Sequence, residues 1–216
     1  MSDTPDSLFQ MIAPGIETYI DDLLPERSST LLAMEEDSHR NGFPIIGPQV
    51  GRMLELLARM IDAGSIFECG SGFGYSALWF LRGAPEAKII CTDGSSANRD
   101  KALAAFTKEK VPERITFHTA IAQDVLRQQD GPFDIIFNDI DKEQYPEIPP
   151  LAKERLRVGG LLITDNTLWY GKVIEDNPDA ATRGVLEYNR LVTDDPEWAT
   201  ILLSVRDGVS VSMKVR

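Results

Sequence analysis

The chain is poor in the residues that small proteins use for covalent or soft-metal staples. Its 216 residues include two cysteines and two histidines. Cys69 and Cys91 stand in separate apolar stretches with no paired spacing, so neither a disulfide framework nor a zinc site is encoded. Both read as small buried strand residues. No apolar run approaches the length of a membrane span. The first residues, MSDTPDSLFQ, are polar and acidic, unlike a secretory signal. These absences predict a soluble cytoplasmic protein with no membrane partner. Positive charge is also scarce. Lys and Arg number 22 against 34 Asp and Glu, a net charge of −12. That balance weighs against long nucleic acid as a partner, although a local basic patch for transfer RNA stays open. Neither an internal repeat nor a low-complexity segment is present.

What is present is a hydrophobic fraction of 43% in a length that suits one α/β domain. Residues 1–62 read as added N-terminal helices and 63–216 as the core. Ser7 caps an expected helix to about Leu23, and a second runs from Pro25 to Arg40 with Asn41-Gly42 as its stop. An extended FPIIGPQ stretch leads into a third helix with Pro48 in its first turn. Its apolar positions Val50, Met53, Leu54, Leu57 and Ile61 fall at helical spacing. From Ser65 the chain alternates. Strands are expected at 65–69, 88–93, 114–119, 133–139, 160–166, 199–205 and 208–215. Helices are expected at about 74–83, 95–110, 122–129, 145–156 and 179–194. Alternation of this kind predicts a doubly wound, mostly parallel sheet. Asp207-Gly208 predicts a tight hairpin and hence an antiparallel last strand.

One stretch organises the rest: IFECGSGFGYS, residues 66–76. A short apolar strand runs into Gly70, Gly72 and Gly74, then into a helix. Glycines allow a sharp turn and close approach of a ligand to the main chain. The helix start offers free N–H groups and partial positive charge. The third glycine arrives one residue too early for the dinucleotide fingerprint. Glu68, ahead of the first glycine, would repel a pyrophosphate and suits a cationic amino-acid group.

In such sheets ligands bind outside the carboxyl ends of the strands. Asp93 ends the second strand 23 residues beyond Gly70, where an acid accepts hydrogen bonds from ribose hydroxyls; a turn or capping role is the alternative. Ala122 and Gln123 follow the third strand, where they could meet an adenine. Asp139, Asp165 and Asn166 end neighbouring strands. Such hard oxygen ligands suit Mg²⁺ or a similar divalent ion. Taken singly, each is as easily a cap or turn residue.

FNDIDKEQY followed by ITDNTLWYGKV resembles the signature pair of the cation-dependent O-methyltransferases, the group of class I S-adenosylmethionine (SAM) enzymes that includes catechol and caffeoyl-CoA O-methyltransferases and small bacterial relatives. The likeness spans the chain from GFPIIGPQVGRMLELL to RDGVSVSMKV. It implies a Rossmann-like sheet of seven strands with the last antiparallel. It implies that Asp139, Asp165 and Asn166 hold Mg²⁺ (or Mn²⁺ or Ca²⁺) and that Lys142 is the catalytic lysine. Gly47, Glu68, Gly70, Gly72, Ser76, Asp93, Ala122, Gln123 and Asp139 would meet SAM, and Trp169 and Tyr170 would line the acceptor pocket. Asn138 departs from the family pattern, where an apolar residue precedes the metal aspartate. So does Gly94-Ser95, where a bulkier pair is common. The acidic stretch from Val173 to Arg183 has no basic clamp for coenzyme A phosphates.

The expected reaction is methyl transfer to a small-molecule hydroxyl, such as one of a catechol's two adjacent oxygens. The metal acidifies and positions the oxygen and Lys142 takes its proton. A hydroxylated uridine in tRNA is the rival acceptor. A non-catalytic nucleotide-binding regulator is the rival of another class, which loss of Asp139, Lys142 or Asp165 would have favoured. The surplus of N-terminal helix, together with the pairing common among relatives, predicts a homodimer.

Overall fold

The computed structural model describes residues 15–216. Its centre is a seven-stranded sheet in the order β3-β2-β1-β4-β5-β7-β6. The strands are β1 (Ser65–Cys69), β2 (Lys88–Asp93), β3 (Ile115–Thr119), β4 (Phe133–Asn138), β5 (Leu156–Thr164), β6 (Trp198–Leu203) and β7 (Val209–Lys214). Strands β1 to β5 pair in parallel, and β7 is antiparallel to both β5 and β6. The predicted doubly wound architecture and its antiparallel last strand are therefore both present. The strand order reverses between β1 and β4, and the crevice that opens at such a switch point is where an open α/β sheet takes its ligand.

Helices cover both faces. On one side lie α2 (Ser29–Asn41), α3 (Gly47–Met60), α4 (Tyr75–Gly83) and α5 (Ser96–Lys108). Their Leu31, Leu54, Trp79, Phe80 and Phe106 pack with Ile66, Ile135 and Ile163 of the sheet. On the other lie α6 (Ala122–Arg127), α7 (Ile148–Arg155) and α8 (Ala180–Asp194). Leu126, Ala152, Val185 and Tyr188 pack there with Phe67, Ile136 and Leu162. Alternate residues of β4 thus feed opposite cores, as the twofold period of a strand requires. Among the described residues no helix is long and apolar enough to cross a membrane.

Several boundaries differ from expectation for local reasons. The helix capped by Ser7 falls partly outside the described residues; α1 is described over Ile16–Asp22. α2 starts at Ser29 rather than Pro25 because the Ser28 hydroxyl accepts the Leu31 N–H, an N-cap in the ordinary manner. Residues 142–156 are not one helix. A 3₁₀ segment (Lys142–Glu147) precedes α7, since Pro146 has no N–H to donate and Pro149 and Pro150 fit only the first turn of a helix, which is where α7 begins. The connection from β6 to β7 is not a two-residue hairpin. It spans residues 204–208, with Arg206 in the left-handed region (φ 49°) and Gly208 donating to the Val205 carbonyl.

Candidate active site

The parallel register sets the site. Cys69 of β1 pairs with Asn138 of β4, which pairs with Thr164 of β5. The ladder then continues one residue further: Asp139 N–H donates to the Cys69 carbonyl (2.9 Å) and Asp165 N–H to the Asn138 carbonyl (3.1 Å). Neighbouring strands lie about 4.8 Å apart, so the two aspartates emerge side by side at the carboxyl edge.

The glycine loop sits against this edge. Gly70 has φ 81°, and a Cβ there would fall 2.3 Å from the Asp139 carbonyl oxygen. Only glycine permits both the turn and that approach. Ser71 N–H donates to the Thr92 carbonyl and Gly72 N–H to the Asp93 carboxylate (3.1 Å). Asp93 also accepts from Ser95 N–H and the Asn98 side chain. It therefore plays the turn role that the sequence left open, while still facing the cleft.

That cleft, of about 1420 Å³, is lined by Gly70, Gly72, Ser76, Asp93, Ala122, Gln123, Asp139, Lys142, Asp165, Asn166, Trp169 and Tyr170. Most of the residues singled out from the sequence are brought together here. Two are not. Glu68 does not line the cleft; it is fully buried behind the loop, where its carboxylate meets the Ser71, Ser76 and Cys91 side chains. Burial pushes its carboxyl above the usual carboxylate range, against the pull of the two serines. It cannot present a charge to a ligand as expected, because the strand end points it into the core. Gly47 opens α3 and borders a smaller cavity instead, where a Cβ would fall 1.8 Å from the Arg206 guanidinium. Phe43 to Ile46 line the main cleft in its place.

Lys142 Nζ donates to Asp139 Oδ1 at 2.9 Å and to the Ile140 carbonyl at 3.2 Å. Its ammonium lies 4.9 Å from the Tyr145 ring centre and 5.4 Å from that of Trp169. Tyr145, wholly buried, donates to the Asp165 carbonyl (2.9 Å) and so fixes that segment from below. Asp165 is itself buried. Burial first, then the Asp139 charge, pushes its carboxyl up to about 7, against the smaller pull of the Asn166 amide and Lys142. The pair of carboxylates is thus short of positive charge.

The donor chemistry can be tested against the expected groups. Among the described residues no three His, Cys, Asp or Glu side chains cluster to hold a metal. A metal set at this edge must therefore include an amide, and Asn166 supplies one beside two carboxylates, an all-oxygen set that suits a hard cation. Lys142 already occupies Asp139 with a positive group. For SAM, the buried Gln123 lines the cleft with an unpartnered Oε1, while its Nε2 donates to Gln144 Oε1 (3.1 Å). A buried unpaired acceptor is costly unless a ligand donor meets it, and an adenine amine is such a donor.

Sequence reasoning missed two neighbours. Gln144, which orients Gln123, carries no motif signal. Asp207 was legible only as a turn residue, yet its carboxylate accepts from Asn166 Nδ2 (3.3 Å) and from the Tyr170 amide.

Comparison with known proteins agrees with this geometry. Residues 29–215 match the family model described as O-methyltransferase. A catechol O-methyltransferase from Niastella koreensis is 31% identical over 94% of this chain and 97% of its own. A caffeoyl-CoA O-methyltransferase from Eucalyptus gunnii is 31% identical over 98% of this chain and 88% of its own. Among solved structures, the O-methyltransferase from Bacillus cereus in complex with SAH superposes with a TM-score of 0.85 at 25% identity, covering 98% of this chain and all of that one. A glycine loop at the switch point, a built cleft beside it and matches over nearly the full length lead to one conclusion: the chain belongs to the O-methyltransferase family and is a SAM-dependent O-methyltransferase.

Proposed function

We propose that this enzyme methylates one of two adjacent oxygens on a small aromatic acceptor of the catechol kind, and that Asp139, Asp165 and Asn166 hold a divalent cation, Mg²⁺ or Mn²⁺, for that reaction. The observation that carries the proposal is the side-by-side emergence of Asp139 and Asp165 beside Asn166, in the same cleft as the glycine loop. The cation, when bound, would acidify the acceptor hydroxyl, and SAM would supply the methyl group. The chain's own residues do the rest. Gly70, Gly72, Ser76, Asp93 and Gln123 orient the donor. Trp169 and Tyr170 form a wall against which a flat ring stacks. Lys142 brings Nζ to the same edge and, in its neutral amine form, accepts the hydroxyl proton there as general base.

A small acceptor fits better than a coenzyme A thioester. The two basic side chains around residues 172–183 are already engaged: Lys172 pairs with Asp179 at 3.3 Å, and Arg183 donates to the Pro178 carbonyl at 2.7 Å. The one lysine among them is already paired with a carboxylate, which weakens it as a phosphate clamp.

The test is a turnover screen with catechols, a caffeoyl thioester and bulk tRNA, each with and without chelator. Catechol turnover that chelator stops and Mg²⁺ or Mn²⁺ restores is the expected result. Asp165→Ala should lose turnover but still bind SAH. An active Asp165→Ala enzyme, or full activity in chelator, would sink the metal-dependent reading.

A further inference from the structure

The connection between β6 and β7 reaches across the mouth of the site. Residues 204–208 lie along residues 166–170, with Thr167 N–H donating to the Gly208 carbonyl and Leu168 N–H to the Asp207 carbonyl, both at 3.0 Å. Gly208 (φ 85°) is held so close that a Cβ would fall 2.4 Å from Leu168 Cγ. The segment it supports is conformationally demanding: Asn166 (φ 54°), Trp169 (φ 44°) and Tyr170 (φ 53°) are all left-handed without being glycine. Such residues persist only where their surroundings over-determine them. Asp207 is one of the side chains that do so, alongside Asn189, whose Nδ2 donates to the Thr167 carbonyl (2.9 Å). One Asp207 carboxylate oxygen accepts from the Tyr170 amide and the other from Asn166 Nδ2 (3.3 Å).

The chemistry of that second bond has a direction. A carboxylate can only accept, and a primary amide has one donating and one accepting end. Asp207 therefore takes the NH₂ end of Asn166 and leaves its carbonyl oxygen, the only end able to ligate a cation, for the cleft. We infer that Asp207 is a positioning residue: it selects the amide orientation of Asn166 and holds the Trp169–Tyr170 wall in place. This inference rests on the metal reading above.

The experiment follows the cation rather than turnover. Mn²⁺ binding is measured by loss of its free paramagnetic resonance signal, and SAH binding by calorimetry in chelator. The proteins are wild type, Asn166→Ala, Asp207→Asn and the double variant Asp207→Asn/Asn166→Asp. Asp207→Asn keeps an oxygen for the Tyr170 amide but turns an NH₂ toward Asn166, whose own NH₂ must then swing toward the cation. The expected result is Mn²⁺ affinity about 10–100-fold weaker, the range typical for losing the partner that orients a metal ligand, with SAH affinity unchanged. The double variant exchanges donor and acceptor, returns an oxygen to the cleft and should recover most of the lost affinity. Wild-type Mn²⁺ affinity in Asp207→Asn, with loss in Asn166→Ala, would overturn this inference alone. Mn²⁺ binding that survives Asn166→Ala would overturn the metal set and this inference together. Loss in Asp207→Asn without recovery in the double variant would also overturn it, since general loosening of the loop then suffices.

Discussion

The two ends of strand β4 carry the same kind of residue in opposite circumstances. At the amino end, Asp134 is saturated. One oxygen accepts the Gly64 and Ser65 amides at 2.8 and 2.9 Å, and the other accepts Arg157 Nε at 2.5 Å. Burial works against its ionisation, but Arg157 and the two amides prevail and hold its carboxyl below the usual range. At the carboxyl end, Asp139 has Lys142 as its cation, and Asp165 sits buried beside it with its carboxyl pushed up to about 7. Unpartnered buried side-chain oxygens show the same polarity. Among the described residues these are on Glu68, Gln123, Asn138, Thr167 and Asn189. Gln123, Asn138 and Thr167 follow or end strands on the ligand side, Asn189 is bonded to Thr167, and Glu68 stands at the same edge but turned into the core. At the amino end the carboxylate is satisfied and the unpartnered buried atoms among the described residues are N–H donors, on Arg155 and Trp198; at the ligand end they are mostly oxygens, as suits a site that must receive cationic and hydrogen-bonding groups.

The largest effect that would sharpen this contrast belongs to Lys142. Lys142→Ala should lower the methyl-transfer rate about 10²–10⁴-fold, the usual loss for a missing general base, while calorimetry finds SAH affinity intact. The deficit should shrink as pH rises and the acceptor ionises unaided. A deficit that is flat in pH would assign Lys142 a purely electrostatic role.

Next come the two acids of the glycine-loop region, one facing the cleft and one behind it. Asp93→Asn should weaken SAH binding roughly 10–100-fold, in keeping with loss of a hydrogen bond to a charged group. Glu68→Gln, which keeps the shape of a side chain that never reaches the cleft, should change it far less. Equal losses would mean that Glu68 shapes the loop as strongly as Asp93 meets the ligand.

At the amino end the readout is stability. Asp134→Ala leaves three donors without their acceptor and should cost about 1–3 kcal/mol, at roughly 2–4 °C of melting temperature per kcal/mol for a chain of this size. Methyl transfer per folded molecule should not change. A melting temperature equal to wild type would show that water replaces the carboxylate without cost.

The last test probes the ligand end by pH. Asp165 titrates near 7 in the fold and near 4 when unfolded, so its ionisation is disfavoured by folding. Its penalty is absent below pH 4, grows as pH rises and is complete above pH 7. In chelator, Asp165→Asn should therefore melt with wild type at pH 4 and clearly above it at pH 8, by up to roughly 10 °C. A gap that is constant with pH would mean that the aspartate is not held in want of charge.

The sequence by itself determined a good deal. Alternating strands and helices, the spacing of Gly70, Gly72 and Gly74, and acids placed at strand ends are local patterns, and each carries a local physical meaning: a turn, a close approach, a position at the carboxyl edge. From them the sheet, its carboxyl edge and the group of Asp139, Asp165 and Asn166 were legible; Lys142 was singled out only by the family resemblance. The tertiary structure alone decided which way side chains face and what reaches them from afar. Glu68 precedes the loop in sequence but turns into the core, because the direction of a strand's last side chains depends on the pleat and on what packs behind it. Gly47 is covered by Arg206, 159 residues further along the chain. Asp207, a turn residue by sequence, reaches Asn166 and Tyr170 only because β7 inserts between β5 and β6 and lays the preceding loop across the end of β5. Hydrogen bonds between residues so far apart leave no periodicity in the chain, since their geometry is fixed by the order of strands in the sheet and not by spacing along the sequence.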